Sequence, residues 1–174
     1  MDRAIQELID KQAIADVLQR YSRTLDWLDE DAQASCYWPD ADIDYGFYTG
    51  DAEQFLPIVM EIERGSDRRW HMLGAPLVKF GSSGSASSEC YGIFAGAKRQ
   101  DDGSLAGNLY GGRYLDEWEK RDAGNGEEWR ISKRLYIVDW HHPLENQPGF
   151  EPNPEFPLPT FQIDKSGHPN YREL

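Results

Sequence analysis

Residues 5–31, IQELIDKQAIADVLQRYSRTLDWLDED, decide the fold. Ile5, Leu8, Ile9, Val17, Leu18, Tyr21 and Leu25 recur at helical spacing, with Ala13 and Ile14 between them and charge on the opposite side. This predicts one long helix whose apolar stripe must be covered by something else. The next segment, LDEDAQASCYWPDADIDYG (28–46), opens with acidic residues and predicts a short second helix near residues 30–36, stopped by Pro39. Tyr37 and Trp38 then turn into the core. Ile43, Tyr45 and Phe47 alternate with Asp42, Asp44 and Gly46, the period of a half-buried strand. Asp51 followed by Gln54 reads as a capping box opening a helix that ends at Gly65, with Pro57 expected to kink or split it.

From there the pattern changes to strands: Trp70–Phe80, Ser87–Lys98, Ala106–Glu119 and Glu128–Trp140, separated by the turn-forming runs GSSGS, QDDGS and DAGNGE. Gly111 and Gly112 interrupt one of them and mark a bulge that bends the sheet, since no phosphate-loop spacing surrounds them. Helices first and antiparallel strands afterwards predict an α+β fold with the helices packed on one face of a strongly curved, mostly antiparallel sheet. Residues 1–142 form that domain. Beyond His142 lie seven of the ten prolines, so residues 143–174 are expected to form an extended tail, docked through Phe150, Phe156, Leu158, Phe161 and Ile163.

Composition narrows the function. With 174 residues and a net charge of −13, the chain would repel a nucleic-acid backbone and has no basic stripe to hold one. The amphipathic start MDRAIQELIDKQ is unlike a secretory signal, and no apolar run has membrane-spanning length, so a cytoplasmic protein is expected. Cys36 and Cys90 lack CxxC spacing and read as reduced core thiols. Six Trp and nine Tyr suit an apolar small-molecule pocket containing a few hydroxyls.

The chemistry centres on His71, in RRWHMLGAPLVKF (68–80), and Asp26, at the end of the first helix. A carboxylate that pairs with an imidazole orients the ring and stabilises its protonated form, which makes a general-base dyad; the bland alternative is a core histidine satisfied by a backbone carbonyl. Tyr21 and Asp26 point roughly 140° apart on an ideal helix, so both reach one cavity only if the helix ends there or lies across it. Arg134 shares a strand face with Tyr136, Val138 and Trp140 and needs either a structural carboxylate or a substrate oxygen. His141 and His142 fall on opposite strand faces, and no HxH, HExxH or cysteine cluster is present, so neither metal nor cofactor is expected.

The segments QAIADVLQRYSRTLDWLDED, RRWHMLGAPLVKF and YLDEWEKRD…EEWRISKRLYIVDWHHP, in this order, resemble the SnoaL-like branch of the nuclear transport factor 2-like superfamily over roughly residues 5–143. The resemblance implies a cone in which a bent sheet wraps against the long helix around a deep apolar cavity. Two lyases of that superfamily, the bile-acid 7α-dehydratase and the hexachlorocyclohexane dehydrochlorinase, use an Asp/His dyad that matches Asp26 and His71. Tyr21 matches a catalytic tyrosine of the dehydratase, and Arg134 a pocket arginine of both. Ile43 stands where the dehydrochlorinase has a pocket tryptophan, which argues against the same halogenated substrate.

The resemblance therefore implies a cofactor-independent lyase acting on a hydrophobic, hydroxylated cyclic or aromatic molecule, by loss of water or by release of formaldehyde from a hydroxymethyl diaryl compound. Catalytic roles fall to His71, Asp26, Tyr21 and Arg134, and substrate contacts to Tyr45, Phe47, Trp70, Tyr91 and Tyr136. A homodimer or homotrimer is expected. Two other readings stand beside it: a noncatalytic binding or assembly module like a dioxygenase β subunit, and a ketosteroid-isomerase-like isomerase.

Overall fold

The computed structural model describes residues 2–82, 84–147, 155, 163 and 167–173. Helix α1 (Arg3–Trp27) is capped by Asp2, whose carboxylate accepts from the Ala4 amide. It ends where Leu28 adopts the left-handed conformation (φ 56°) and the Asp29 amide reaches back to the Thr24 carbonyl at 2.9 Å. A left-handed leucine costs about 1–2 kcal/mol, which complete burial of its side chain offsets. The short α2 (Glu30–Ala34) follows, capped by Asp29.

Strand β1 (Tyr37–Asp44) starts earlier than the alternation implied and contains Pro39. Helix α2 therefore stops at its own C-cap, Ser35, and not at the proline. Pro39 is tolerated because the register of β1 against its neighbour slips between Tyr37 and Asp42, leaving it outside the regular ladder. Tyr45 to Tyr48 form a turn, with Gly46 at φ 75°, and lead into β2 (Thr49–Asp51). Helix α3 (Ala52–Arg64) starts at the expected Asp51, which accepts from the Gln54 amide at 2.8 Å; the Gln54 side chain donates to the Asp51 carboxylate at 2.7 Å in place of the reciprocal backbone bond of a capping box. Pro57 lies inside this helix without splitting it.

The run from Trp70 to Phe80 is two strands, β3 (Arg68–Leu73) and β4 (Leu77–Phe80), broken at Gly74–Pro76. Long strands β5 (Ser85–Arg99), β6 (Leu105–Asp122) and β7 (Glu127–Gln147) follow. β7 continues through Pro143, so the expected boundary at residue 142 falls inside a strand. The tail phenylalanines Phe150, Phe156 and Phe161 lie outside the described residues. Ile163 packs against the core, and Tyr171 meets Trp27 and the Arg23 guanidinium at the end of α1.

The sheet order is β2-β1-β7-β6-β5-β3, with β4 also on β5; the β1–β7 pair is parallel and the others antiparallel. Its ends, β2 and β3, do not pair, so the curled sheet stays open. The register slips between Gly111 and Gly112, where they face Trp140 and Val138, which places the bulge at the expected glycines. The Trp140 indole lies across Gly111, so that an added Cβ would sit 2.0 Å from Nε1 and would displace the ring. Helices α1 and α3 cover the concave face, and Ile14, Leu18, Leu25, Phe55, Trp118 and Ile131 make the core between them. Cys36 and Cys90 are free, buried thiols pushed up by burial to about 12 and about 11.

Candidate active site

Two elements bring the histidine and the aspartate together. Asp26 lies in the last turn of α1, and α1 packs on β3, which carries His71. His71 Nδ1 donates to Asp26 Oδ1 at 2.8 Å, and the His71 amide donates to Oδ2 at 3.2 Å, so one carboxylate fixes both the ring and its strand. The proton on Nδ1 leaves the Nε2 lone pair directed to the other side of the ring. That side is a cavity of about 320 Å³, near the lower end of small-molecule pockets.

The walls of this cavity are aromatic: Tyr21 from α1, Tyr45 after β1, Phe94 from β5, Tyr110 and Tyr114 from β6, and Tyr136 from β7. Phe47, Val59, Ile62 and Val138 complete it, together with His71 and Glu63. Asp26 lies behind the imidazole and not on the wall. Tyr21 and Asp26 can thus serve one site while pointing apart.

Three phenols make a chain. Tyr21 Oη lies 2.9 Å from Tyr45 Oη and 3.1 Å from Tyr114 Oη. Three hydroxyls carry three protons, and the two internal bonds use two, so one donor is left for an oxygen in the cavity. Burial pushes the Tyr21, Tyr114 and Tyr136 phenols up, which keeps them protonated donors.

Of the residues singled out from the sequence, His71, Tyr21, Tyr45, Phe47 and Tyr136 line the cavity, with Asp26 behind His71. Arg134 does not reach it. It is fully buried beneath the tyrosines, bonded to Asp116 through Nε at 2.7 Å and Nη2 at 2.8 Å, with its guanidinium 3.9 Å from the Tyr114 ring centre and 4.3 Å from that of Tyr21. The carboxylate partner that its position demanded is therefore a protein one. Trp70 and Tyr91, 53% and 54% exposed, stand on the outer face of the sheet. Strand alternation forces this: with His71 and Phe94 facing inward, their odd-numbered offsets face out.

Glu63, Tyr110, Tyr114 and Phe94 had not been singled out. Glu63 comes from the last turn of α3 and approaches His71 Nε2 to 3.6 Å from the side opposite Asp26. Its place was legible: Phe55, Val59 and Glu63 are spaced by four residues, and the first two are buried. Burial raises the Glu63 carboxyl above the usual carboxylate range, while His71 and Arg69 pull the other way. For His71, burial pushes the imidazole down, but the Asp26 hydrogen bond and the charge of Glu63 outweigh it and hold the ring above its ordinary value.

Residues 6–135 match the model of the SnoaL-like domain. The chain belongs to the SnoaL-like family. Solved structures place that family member in the nuclear transport factor 2-like fold. The structure of a type 2 hexachlorocyclohexane dehydrochlorinase (LinA) is 20% identical, covers 87% of this chain and 99% of its own, and superposes with a TM-score of 0.71. A putative scytalone dehydratase from Novosphingobium aromaticivorans is 16% identical over 83% of this chain and 96% of its own, at 0.69. A nuclear transport factor 2-like superfamily protein from Salmonella enterica gives 0.64, at 20% identity over 76% and 92%. None of the curated proteins matches the chain. Among the described residues, no helix of this SnoaL-like protein is long and apolar enough to cross a membrane.

The two carboxylates flanking His71 have a measurable consequence. Its imidazole should titrate above about 6.5, the ordinary histidine value. Asp26→Asn removes a charge that stabilises imidazolium, so the midpoint should move down. Side-chain NMR of the His71 ring across pH checks both, and an unmoved midpoint in Asp26→Asn would contradict the dyad.

Proposed function

We propose that this protein is a cofactor-independent lyase that removes water from a hydrophobic, hydroxylated cyclic or aromatic small molecule, with His71 as general base. The observation that carries the reading is the 2.8 Å bond from His71 Nδ1 to Asp26, which leaves Nε2 as a lone pair open to an aromatic cavity. The names of two structural neighbours, a dehydrochlorinase and a putative dehydratase, support elimination as the reaction type.

In this reading His71 Nε2 takes a proton from substrate carbon, and Asp26 stabilises the imidazolium that forms. Negative charge developing on a substrate oxygen is met by the spare donor of the Tyr21–Tyr45–Tyr114 chain. Arg134 acts from behind, holding Tyr21 and Tyr114 in place by its contact with their ring faces. Release of formaldehyde from a hydroxymethyl diaryl compound uses the same base, with a C–C bond breaking in place of C–O. The protein works in the cytoplasm as a homodimer or homotrimer, in which a second copy covers the exposed Trp70, Met72, Tyr91 and Trp140.

The test uses purified protein alone, incubated with hydroxylated steroids, hydroxymethyl diaryl compounds and 3-hydroxypropiophenone. Loss of water or formaldehyde, followed by mass spectrometry, is the expected result. A companion probe, 3-(4-nitrophenoxy)propiophenone, releases coloured 4-nitrophenolate by the same proton abstraction. Turnover of neither probe, with no loss of water or formaldehyde from the rest of the panel, would remove the lyase reading.

A further inference from the structure

Elimination of hydroxide needs an acid as well as a base, because hydroxide is a poor leaving group. The tyrosine chain supplies hydrogen bonds, and in it burial holds the Tyr21 and Tyr114 phenols protonated, so that neither gives up its proton readily. The cavity contains a better acid.

Glu63 reaches the wall from the last turn of α3, with its side chain only 14% exposed. Its Oε1 is 3.6 Å from His71 Nε2, close enough to share a reacting group yet too long for a hydrogen bond. Among the described residues, no hydrogen bond occupies the Glu63 carboxyl. The charged groups that face it are His71, Asp26 behind His71, and Arg69, whose Nε is 4.0 Å from Oε2. That guanidinium makes hydrogen bonds to the backbone carbonyls of Glu63, Ser66 and Ile163, which draws it away from the carboxyl. The carboxyl also lies at a helix C-terminus, where the helix dipole disfavours negative charge, and burial acts in the same direction.

A second hollow of about 210 Å³ adjoins the aromatic cavity, sharing Ile62, Phe94 and Tyr110 with it and adding Ser66, Ala95, Gly96 and Asn108. Glu63 and His71 are walls of both. A substrate whose ring fills the aromatic lobe and whose polar end enters the other has its central carbons beside these two groups.

We propose that Glu63 is the general acid of this site, delivering a proton to the departing hydroxyl while His71 removes one from the adjacent carbon. The inference rests on the lyase reading above and specifies the class of substrate: a molecule bearing a hydroxyl on the carbon next to the one that loses its proton. The C–H pair becomes the new C=C bond, the C–O pair leaves with oxygen, and the Glu63 proton completes a molecule of water. The site is then imidazolium and carboxylate. Proton return from His71 Nε2 to Glu63 through the product water restores the neutral pair without any outside reactant.

Leaving-group chemistry separates this role from simple structural support. Loss of water from 3-hydroxypropiophenone and loss of 4-nitrophenolate from 3-(4-nitrophenoxy)propiophenone yield the same enone, but only the first needs an acid. Glu63→Gln should lower kcat for water loss by about a hundredfold or more, and by at least about tenfold more than for 4-nitrophenolate loss. Glu63→Asp, which keeps the carboxyl, should bring the ratio of the two rates back toward wild type and serves as the test if the glutamine variant is poorly folded. Equal losses on both probes in folded Glu63→Gln, or no loss on either, would overturn the assignment while leaving the His71 base intact. Wild-type protein that turns over neither probe, and releases no water or formaldehyde from the rest of the panel, would instead sink the lyase reading, and this proposal with it.

Discussion

His71→Ala is expected to lower kcat on any substrate the wild-type protein turns over by about a hundredfold or more, the usual contribution of a positioned general base. The ring supplies the lone pair that Asp26 orients into the aromatic cavity, and its neighbours do not replace it: burial holds the Tyr21 and Tyr114 phenols protonated, and the Glu63 carboxyl, 3.6 Å from Nε2, has no such orienting partner among the described residues. The fold should survive. The backbone amide of residue 71 still donates to Asp26, and β3 keeps its register with β5 from Arg68 to Leu73. Folded His71→Ala with near-normal kcat would exclude the imidazole as the base.

Asp116→Ala should produce the largest loss of stability. Asp116 and Arg134 are both sealed from solvent at the side chain, on adjacent strands, and share a two-pronged ion pair. Removing the carboxylate strands a guanidinium among Tyr21, Tyr37 and Tyr114, and an uncompensated buried charge costs about 3–5 kcal/mol. For a chain of this length that corresponds to a fall in melting temperature of roughly 10 °C. The double variant Asp116→Leu/Arg134→Met should be more stable than Asp116→Ala, since it removes both charges together. Melting curves of the variants read this directly, and a double variant no better than the single would deny that the stranded charge causes the loss.

How far the site could be read from the sequence depended on the range of the interactions involved. The long helix and the Asp51–Gln54 cap rest on local spacing and were legible, as was the glycine bulge, because a strand pattern cannot continue through Gly111 and Gly112 without a break in its ladder. In the sequence Pro39 looks like a helix stop, because its place in β1 depends on a register slip against β7, nearly a hundred residues away. Arg134 showed that it needed a partner, but which one depended on β6 and β7 pairing so as to put Asp116 opposite it. Trp70 and Tyr91 were legible and misread: alternation with inward-facing His71 and Phe94 already excluded them from the cavity. Glu63 does not stand out in the sequence, because a carboxylate on an amphipathic helix ordinarily marks the solvent side. Its spacing from Phe55 and Val59 was the available signal.

In the proposed function the His71–Asp26 pair acts as a base toward molecules held in the aromatic cavity. The pH dependence of kcat/KM for 4-nitrophenolate release from 3-(4-nitrophenoxy)propiophenone tests it most directly, because this reaction needs a base and no acid. As pH rises through the His71 value the ring loses its proton and the base form appears, so kcat/KM should climb with a midpoint above that of an ordinary histidine and equal to the NMR midpoint of the ring. In Asp26→Asn the midpoint should move to lower pH, with a lower plateau. A profile that ignores the His71 titration, or one that Asp26→Asn leaves in place, would contradict the account.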